Sequence, residues 1–263
     1  MRLRPALRHA RVADALLALA LLAVCGGCVP KARPPAVAPL GPPAQTEPTV
    51  ASATVPATPT APAKSTSSTL TLPAGGPIAL TFDDGPDPTW TPQVLAVLNA
   101  NHIKATFFEV GKQVRANPKI ARMVLAAGMV IGNHTEGHLD LRKANAAVVT
   151  AQIKGAEADI QSATGEHATY FRFPFGAVTP RVRTIATGLG LKVVEWDVDT
   201  RDWQKPSPNW MVRHVIDLVH PGDVILMHDG GGDRSRTVAA LKAIISRLSG
   251  RGYRFVTLDQ LHK

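Results

Sequence analysis

The chain has 263 residues, of which 45% are hydrophobic and 19% are charged, and it contains two Cys. This composition excludes a collagen-like, disulfide-rich or wholly disordered protein, and the length suits one large or two small domains. The 29 basic against 20 acidic residues give a net charge of +9, but residues 1–76 hold seven basic and only two acidic residues. More than half of the excess thus lies outside the region that can fold, and we expect no nucleic-acid partner.

The first 28 residues have the pattern of an export signal. Four arginines precede an unbroken apolar run of ten residues, 15–24. Ten helical residues span about 15 Å, half of a bilayer core, which is typical of a signal peptide and too short for a transmembrane helix. Gly26-Gly27-Cys28 then resembles a bacterial lipobox, although Cys25 replaces the usual aliphatic residue. We expect an exported lipoprotein of the cell surface or envelope, held at the membrane through acylated Cys28; the alternative is cleavage without a lipid.

Residues 29–76 form a segment of different composition. They contain 11 of the 22 Pro, many Ala and Thr, and no aromatic residue. Such a segment cannot bury enough apolar surface to offset its ordering entropy, so a disordered linker is predicted. Because both Cys precede this linker, the domain after it contains no disulfide.

Residues 77–263 are predicted to form one α/β domain. Short apolar runs predict seven strands: Ile78–Phe82, Ala105–Glu109, Met129–Gly132, Tyr170–Phe173, Val193–Asp197, Val224–Met227 and Tyr253–Val256. Amphipathic stretches predict six helices: Thr91–Asn99, Pro118–Ala127, Ala144–Thr164, Pro180–Gly188, Asn209–Val219 and Thr237–Gly250. Thr91 is predicted to cap the first helix, with Pro92 at its first position. Strands alternating with helices predict a parallel sheet, open or closed into a barrel, whose chemistry lies at the carboxyl ends of the strands.

Asp83 and Asp84 follow the first predicted strand. Successive side chains of an extended chain point to opposite sides, so one carboxylate can bind a cation while the other stays free. An ordinary turn is the alternative interpretation of this Asp-Asp-Gly-Pro segment by itself.

His134 and His138 follow the third predicted strand. Four residues apart, they share a helix face and can bind one metal ion, although Gly137 argues against a regular helix there. A third ligand such as Asp84 would leave positions for water and substrate. A chance pairing of the two histidines is the alternative.

The next three predicted strands end on similar residues. An Arg at position 172 can hold a nearby carboxylate ionised and oriented. Trp beside acidic groups, as in residues 196–203, is common where sugar rings stack and equally common in plain packing. His228 is a suitable proton donor if a carboxylate holds its other nitrogen. Five strand ends of this kind in one domain favour a metal hydrolase.

Taken in order, the segments TFDDGP, HTEGH, RFPFG, DTRDW and ILMH resemble the five motifs of the NodB-homology polysaccharide deacetylases, carbohydrate esterase family 4 (CE4). The resemblance runs from about Ile78 to His228. It implies a distorted (β/α)7-type barrel and a divalent metal ion, Zn²⁺ with Co²⁺ as the alternative, bound by Asp84, His134 and His138.

The resemblance also implies the catalytic groups. Asp83 would be the general base, oriented by Arg172. His228 would be the general acid, paired with Asp199. Water would then attack an acetyl group, and free acetate would leave.

Two residues are implied to contact substrate. The backbone N–H of Phe175 would stabilise the oxyanion, and Trp203 would form part of the wall of the groove. The family usually has Tyr at the position of Phe175, so a hydroxyl contact is lost while the N–H remains.

The implied activity is removal of acetyl groups from N-acetylated glycans, either peptidoglycan or chitin-type oligomers, by a monomer. An O-acetyl esterase acting on xylan would use the same site, so the sequence does not separate amide from ester substrates. A catalytically silent glycan-binding module is the third alternative, and it predicts loss of a ligand, base or acid; none is missing.

Overall fold

A computed structural model describes residues 75–261 of the protein. The predicted export signal, Cys28 and most of the predicted linker lie outside the described residues. Among the helices of residues 75–261, none has the length and apolar character needed to cross a lipid bilayer.

Eight strands form one sheet in which every pair is parallel. They are β1 (Pro77–Asp83), β2 (Thr106–Glu109), β3 (Val130–Asn133), β4 (Tyr170–Phe171), β5 (Lys192–Val193), β6 (Val198–Asp199), β7 (Val224–His228) and β8 (Arg254–Phe255). The order is β5-β4-β3-β2-β1-β7-β6, and β8 pairs with the beginning of β1. Since all strands run the same way, their carboxyl ends meet at one side of the sheet.

The sheet curls into a distorted, incompletely closed barrel. Strands β5 and β6 lie at its opposite edges, and within residues 75–261 no ladder joins them. A flat seven-strand path would separate these edges by about 29 Å. Residues 194–197, which connect them, reach at most about 18 Å. The two edges must therefore approach each other, which confirms the predicted distorted (β/α) barrel.

Eight helices surround the sheet: α1 (Trp90–Ala100), α2 (Gly111–Ala116), α3 (Pro118–Ala126), α4 (Ala146–Thr164), α5 (Pro180–Gly188), α6 (Pro208–Leu218), α7 (Ser235–Ser249) and α8 (Leu258–Leu261). Local sequence explains several beginnings. Helices α5 and α6 each begin with Pro after a capping hydroxyl, since Thr179 accepts from the Val182 N–H and Ser207 from the Trp210 N–H. These contacts satisfy backbone donors that the first turn of a helix leaves free.

Several predicted elements differ from the structure. The predicted strand Val193–Asp197 is wrong, because residues 194–197 connect two short strands at opposite edges of the sheet. The sheet therefore has eight strands, one more than the seven predicted. The predicted cap at Thr91 is also wrong: α1 begins at Trp90, and the buried Thr91 hydroxyl donates to Asp229 Oδ2 (2.6 Å). Helices α2 and α8 were not predicted.

Alternation along β1 builds both the core and the site. Ile78, Leu80 and Phe82 are fully buried in the cluster shared with the surrounding helices. The intervening residues point to the barrel interior, where the Thr81 hydroxyl meets the guanidinium of Arg172. The same alternation turns the last residue of the strand inward, so Asp83 reaches the interior at the carboxyl end.

Truncation of Leu80 to Ala is expected to lower the free energy of unfolding by about 2–5 kcal/mol, because it leaves a cavity in the middle of the central strand. Chemical denaturation followed by circular dichroism measures this change. Leu218→Ala is the matched control, since Leu218 is 46% exposed and its truncation removes little buried surface. Equal losses in the two variants would contradict the assigned core.

Candidate active site

A cleft of about 510 Å³ opens at the carboxyl ends of the strands. It brings together most of the residues selected from the sequence: Asp83, Asp84, His134, His138, Phe175, Asp199, Trp203 and His228. Arg172 lies beneath the cleft in contact with Asp83, and Cys28 lies outside the described residues. The strands and their following loops thus deliver ionisable groups from distant parts of the sequence to one place.

Asp83 is held by a fully buried arginine. Arg172 Nη1 donates to Asp83 Oδ1 (2.8 Å) and to the Thr81 hydroxyl (2.7 Å), while its Nη2 donates to the Glu195 carbonyl (3.0 Å). The guanidinium also stacks on Phe108, 4.1 Å from the ring centroid. Burial raises the pKa of Asp83, and the charge of Arg172 counteracts that rise. One carboxylate oxygen is thereby fixed, and the other remains for chemistry.

Asp84, His134 and His138 form a group that fits a metal ion. Asp84 Oδ1 lies 3.1 Å from His138 Nε2 and 3.7 Å from His134 Nε2, and the three ligand atoms lie within 4.8 Å of one another. The ligand atoms of a tetrahedral ion with bonds of about 2.0–2.1 Å are about 3.3 Å apart. Asp84 Oδ1 is buried and has no hydrogen-bond partner, which a cation would provide.

The orientation of His134 suits a ligand. Its Nδ1 lies 2.9 Å from the Arg172 carbonyl, which can only accept, so Nδ1 carries the proton and Nε2 presents a lone pair to Asp84. Burial lowers the pKa of His134 to about 3, although the charge of Asp84 opposes this shift, and the ring is neutral at pH 7. A neutral imidazole is the form that binds metal.

The two histidines do not share a helix face. They lie in the loop after β3, where Thr135 (φ 68°) and His138 (φ 55°) have left-handed backbone conformations. The side chain of Asn133 accepts from the Thr135 N–H and donates to the Ile153 carbonyl, tying this loop to α4. The predicted convergence occurs, but loop geometry rather than helical spacing produces it.

The partner of His228 is Asp202, so the predicted pairing of His228 with Asp199 is wrong. His228 Nδ1 lies 2.7 Å from Asp202 Oδ1, and the His228 backbone N–H donates to Asp202 Oδ2 (2.8 Å). A single 3-10 turn at Asp202–Gln204 points Asp202 into the interior, where Thr237 also donates to it. Asp199 instead accepts hydrogen bonds from Arg201 and Trp203.

The protonation of His228 follows from this pairing. Burial by itself lowers the pKa of His228, but the hydrogen bond and negative charge of Asp202 outweigh it and raise that pKa to about 9. The imidazole is therefore charged at neutral pH and can donate a proton into the cleft.

Aromatic side chains line the walls of the cleft. Phe175 is 67% exposed, has φ 60°, and packs its ring edge-on against His138 at a centroid distance of 4.5 Å. Trp203 is 52% exposed on the wall that carries Asp199. Exposed aromatic surface beside charged groups is suited to a ligand with both apolar and polar faces.

Sequence reasoning missed two buried carboxyl groups, those of Glu109 and Asp229. Burial raises the pKa of Asp229 to about 7, against the hydrogen bond from Thr91. Burial, together with the charge of Asp229, raises the pKa of Glu109 well above its usual range. The backbone N–H of Asp229 donates to the Asp83 carbonyl, so the backbone of Asp229 supports the floor of the site. Their positions at the ends of β2 and β7 were the available signal.

The remaining histidines among residues 75–261 lie outside the cleft: His102, His167, His214 and His220. His167 pairs with Glu157 on the surface, and His214 stacks on Trp210. No role was predicted for any of them.

The fold and the cleft together define an α/β-barrel protein with a candidate metal site at the carboxyl ends of its strands. The sequence matches the family model described as polysaccharide deacetylase over residues 73–194. It is 42% identical to a peptidoglycan-N-acetylglucosamine deacetylase of Bacillus cereus, over 70% of this chain and 87% of that protein. It is 37% identical to a chitooligosaccharide deacetylase of Sinorhizobium fredii, over 70% of this chain and 91% of that protein.

The fold is also similar to solved structures. One is a CE4 family pseudoenzyme from Bacillus anthracis, with a TM-score of 0.68 and 29% identity over 73% of this chain and 67% of that one. The chain belongs to the polysaccharide deacetylase family, CE4, and is a hydrolase of that family.

Proposed function

We propose that the protein removes acetyl groups from N-acetylglucosamine units of peptidoglycan or of chitin-type oligosaccharides. One observation carries the proposal: a single cleft holds the Asp84–His134–His138 group, the Asp83–Arg172 pair and the His228–Asp202 pair. Similarity to peptidoglycan and chitooligosaccharide deacetylases supports the substrate class.

A divalent cation, which we propose to be Zn²⁺, would be held by Asp84, His134 and His138. When bound there, such an ion supplies a Lewis acid that activates water and polarises the acetyl carbonyl. Asp84 Oδ1 lies beside the Nε2 atoms of both imidazoles, and the Arg172 carbonyl fixes the tautomer of His134.

Asp83 is proposed to take the proton of the attacking water. Its Oδ1 is occupied by Arg172, whereas its Oδ2 faces the metal-binding group, 3.8 Å from His134 Nε2. Burial raises the pKa of Asp83 and so strengthens its basicity, and the hydrogen bond from Arg172 fixes the direction of the carboxylate.

The other residues complete the hydrolysis. The backbone N–H of Phe175 is proposed to stabilise the negative charge that develops on the acetyl oxygen. His228, charged through Asp202, then gives its proton to the sugar nitrogen as the C–N bond breaks. The products are acetate and a free amine; one oxygen of the acetate comes from water and the other from the acetyl carbonyl.

Mass spectrometry of glycans tests the activity. Incubation of the protein with an N-acetylglucosamine pentamer and with peptidoglycan fragments is expected to remove whole acetyl groups, and chelator is expected to stop the reaction. O-acetylated xylan in a parallel reaction measures ester cleavage. Retention of every amide acetyl group in both glycans would contradict the proposal, and faster loss from xylan would favour the esterase.

We also propose that the chain is exported, acts as a monomer, and is held at a membrane through acylated Cys28. The support is the arginine-rich start, the ten-residue apolar run and the small residues before Cys28. In cells fed a labelled fatty acid, label is expected on the wild-type protein and on Cys25→Ser, but not on Cys28→Ser. Equal labelling of both variants would exclude Cys28 as the acylation site.

A further inference from the structure

Trp203 lies in a segment whose backbone is tightly constrained. The 3-10 turn Asp202–Gln204 is flanked by Arg201 (φ 54°) and Lys205 (φ 56°), both in the left-handed region that non-glycine residues rarely adopt. Within this turn Asp202 points inward to His228, whereas Trp203 points outward to line the cleft. The direction of the indole therefore depends on what holds this turn.

Asp199 makes two contacts to the segment. Its Oδ1 accepts from the Arg201 backbone N–H (2.7 Å), and its Oδ2 accepts from the Trp203 Nε1–H (3.3 Å). The carboxylate thus spans the turn, from its backbone entry to the tip of the exposed indole. His228 Nδ1 is already occupied by Asp202, so Asp199 is free of the proton-donating pair.

We propose that Asp199 is a positioning residue that holds the Trp203 indole as a flat platform for a sugar ring in the cleft. The proposal rests on the glycan deacetylase function proposed above. An exposed aromatic side chain otherwise has two free rotations, and fixing it before binding removes the ordering cost that the ligand would have to offset. The apolar face of a sugar ring would then lie against a prearranged indole.

Two substitutions separate this function from the alternatives. Asp199→Asn keeps one oxygen for the Arg201 N–H, but its amide nitrogen cannot accept from the indole. Trp203→Phe keeps an aromatic face and removes the N–H that Asp199 holds. The double variant tests coupling, because residues that act through one hydrogen bond give non-additive effects.

The measurements are KM, kcat and the pH profile of the full-length protein on an N-acetylglucosamine pentamer. Each single variant is expected to raise KM about three- to tenfold with kcat nearly unchanged. The KM of the double variant is expected to be no higher than that of the more strongly affected single variant. The upper limb of the pH profile is expected to stay at the wild-type pH in all three variants.

Several results would overturn the proposal. They are an unchanged KM in Trp203→Phe, fully additive effects in the double variant, or a shifted upper pH limb in Asp199→Asn. Should Asp199→Asn fail to fold, Trp203→Phe alone can still overturn the proposal, because an unchanged KM would show that the hydrogen bond to Asp199 does not matter for binding. A wild-type protein that deacetylates none of the glycans would instead contradict the proposed function, which keeps the two failures distinct.

Discussion

Replacement of His134 by Ala is expected to remove bound metal and to lower kcat/KM by about a thousandfold or more. The three ligands converge within 4.8 Å, and loss of one opens the metal-binding group. Electrostatic stabilisation by a metal ion contributes several kcal/mol to a transition state, and each 1.36 kcal/mol corresponds to a factor of ten in rate. Metal content is measured by elemental analysis and activity by release of acetate.

Asp84→Asn and His220→Ala complete this experiment. Asp84→Asn removes the ligand charge without creating a cavity, so it is expected to lose metal even if the buried His134→Ala variant folds poorly. His220 lies outside the cleft, and His220→Ala is expected to keep both metal and activity. A His134→Ala protein that loses metal but retains turnover would show that the metal takes no part in the reaction, and one that keeps its metal would show that His134 is not a ligand.

Replacement of Asp202 by Asn is expected to move the upper limb of the pH profile from about 9 toward neutral pH. The His228 pKa of about 9 depends on the hydrogen bond and charge of Asp202, whereas burial acts in the opposite direction. Without the carboxylate, burial prevails and the pKa falls. If the protonated imidazole is the acid, as proposed, wild-type activity should decline above about pH 9, and the variant should decline at lower pH.

The size of the effect in Asp202→Asn depends on pH in a defined direction. At pH 8 a loss of about a hundredfold or more in kcat is expected, because general acid catalysis contributes about 10²- to 10⁴-fold. The ratio of wild-type to variant rates should shrink as the pH falls and His228 regains its proton. Asp199→Asn serves as the comparison, because its upper limb should remain near that of the wild type. An unshifted limb in Asp202→Asn would contradict the pairing.

Local patterns predicted most elements, and the failures have physical causes. The caps before Pro180 and Pro208 are local hydrogen bonds, so both helices begin within one residue of their predicted starts. Helix α2 has only six residues, too few for a clear periodicity. Its first N–H groups are satisfied by the carbonyls of Thr135 and Glu136, a contact between segments far apart in sequence.

The predicted strand Val193–Asp197 failed for a related reason. Val194 is buried, as the sequence pattern indicated, and Val193 and Trp196 are partly buried, but closure of the sheet requires these residues to connect two edges. A run of apolar residues indicates burial, but a segment becomes a strand only if another strand lies beside it to form hydrogen bonds. The neighbour is determined by the order of strands in the sheet.

The sequence by itself determined the chemical inventory: the carboxylates at 83 and 84, the histidines at 134, 138 and 228, the arginine at 172, and the strands that end on them. Their order along the chain was enough to indicate the family. Only the tertiary structure decided between Asp199 and Asp202, because the two lie three residues apart in one motif and are chemically identical. A turn held in left-handed conformations at Arg201 and Lys205 sends Asp202 to His228 and leaves Asp199 with Trp203. The sequence tells which chemical groups are present. The direction of a side chain in an irregular turn, however, depends on backbone torsions that the surrounding fold fixes.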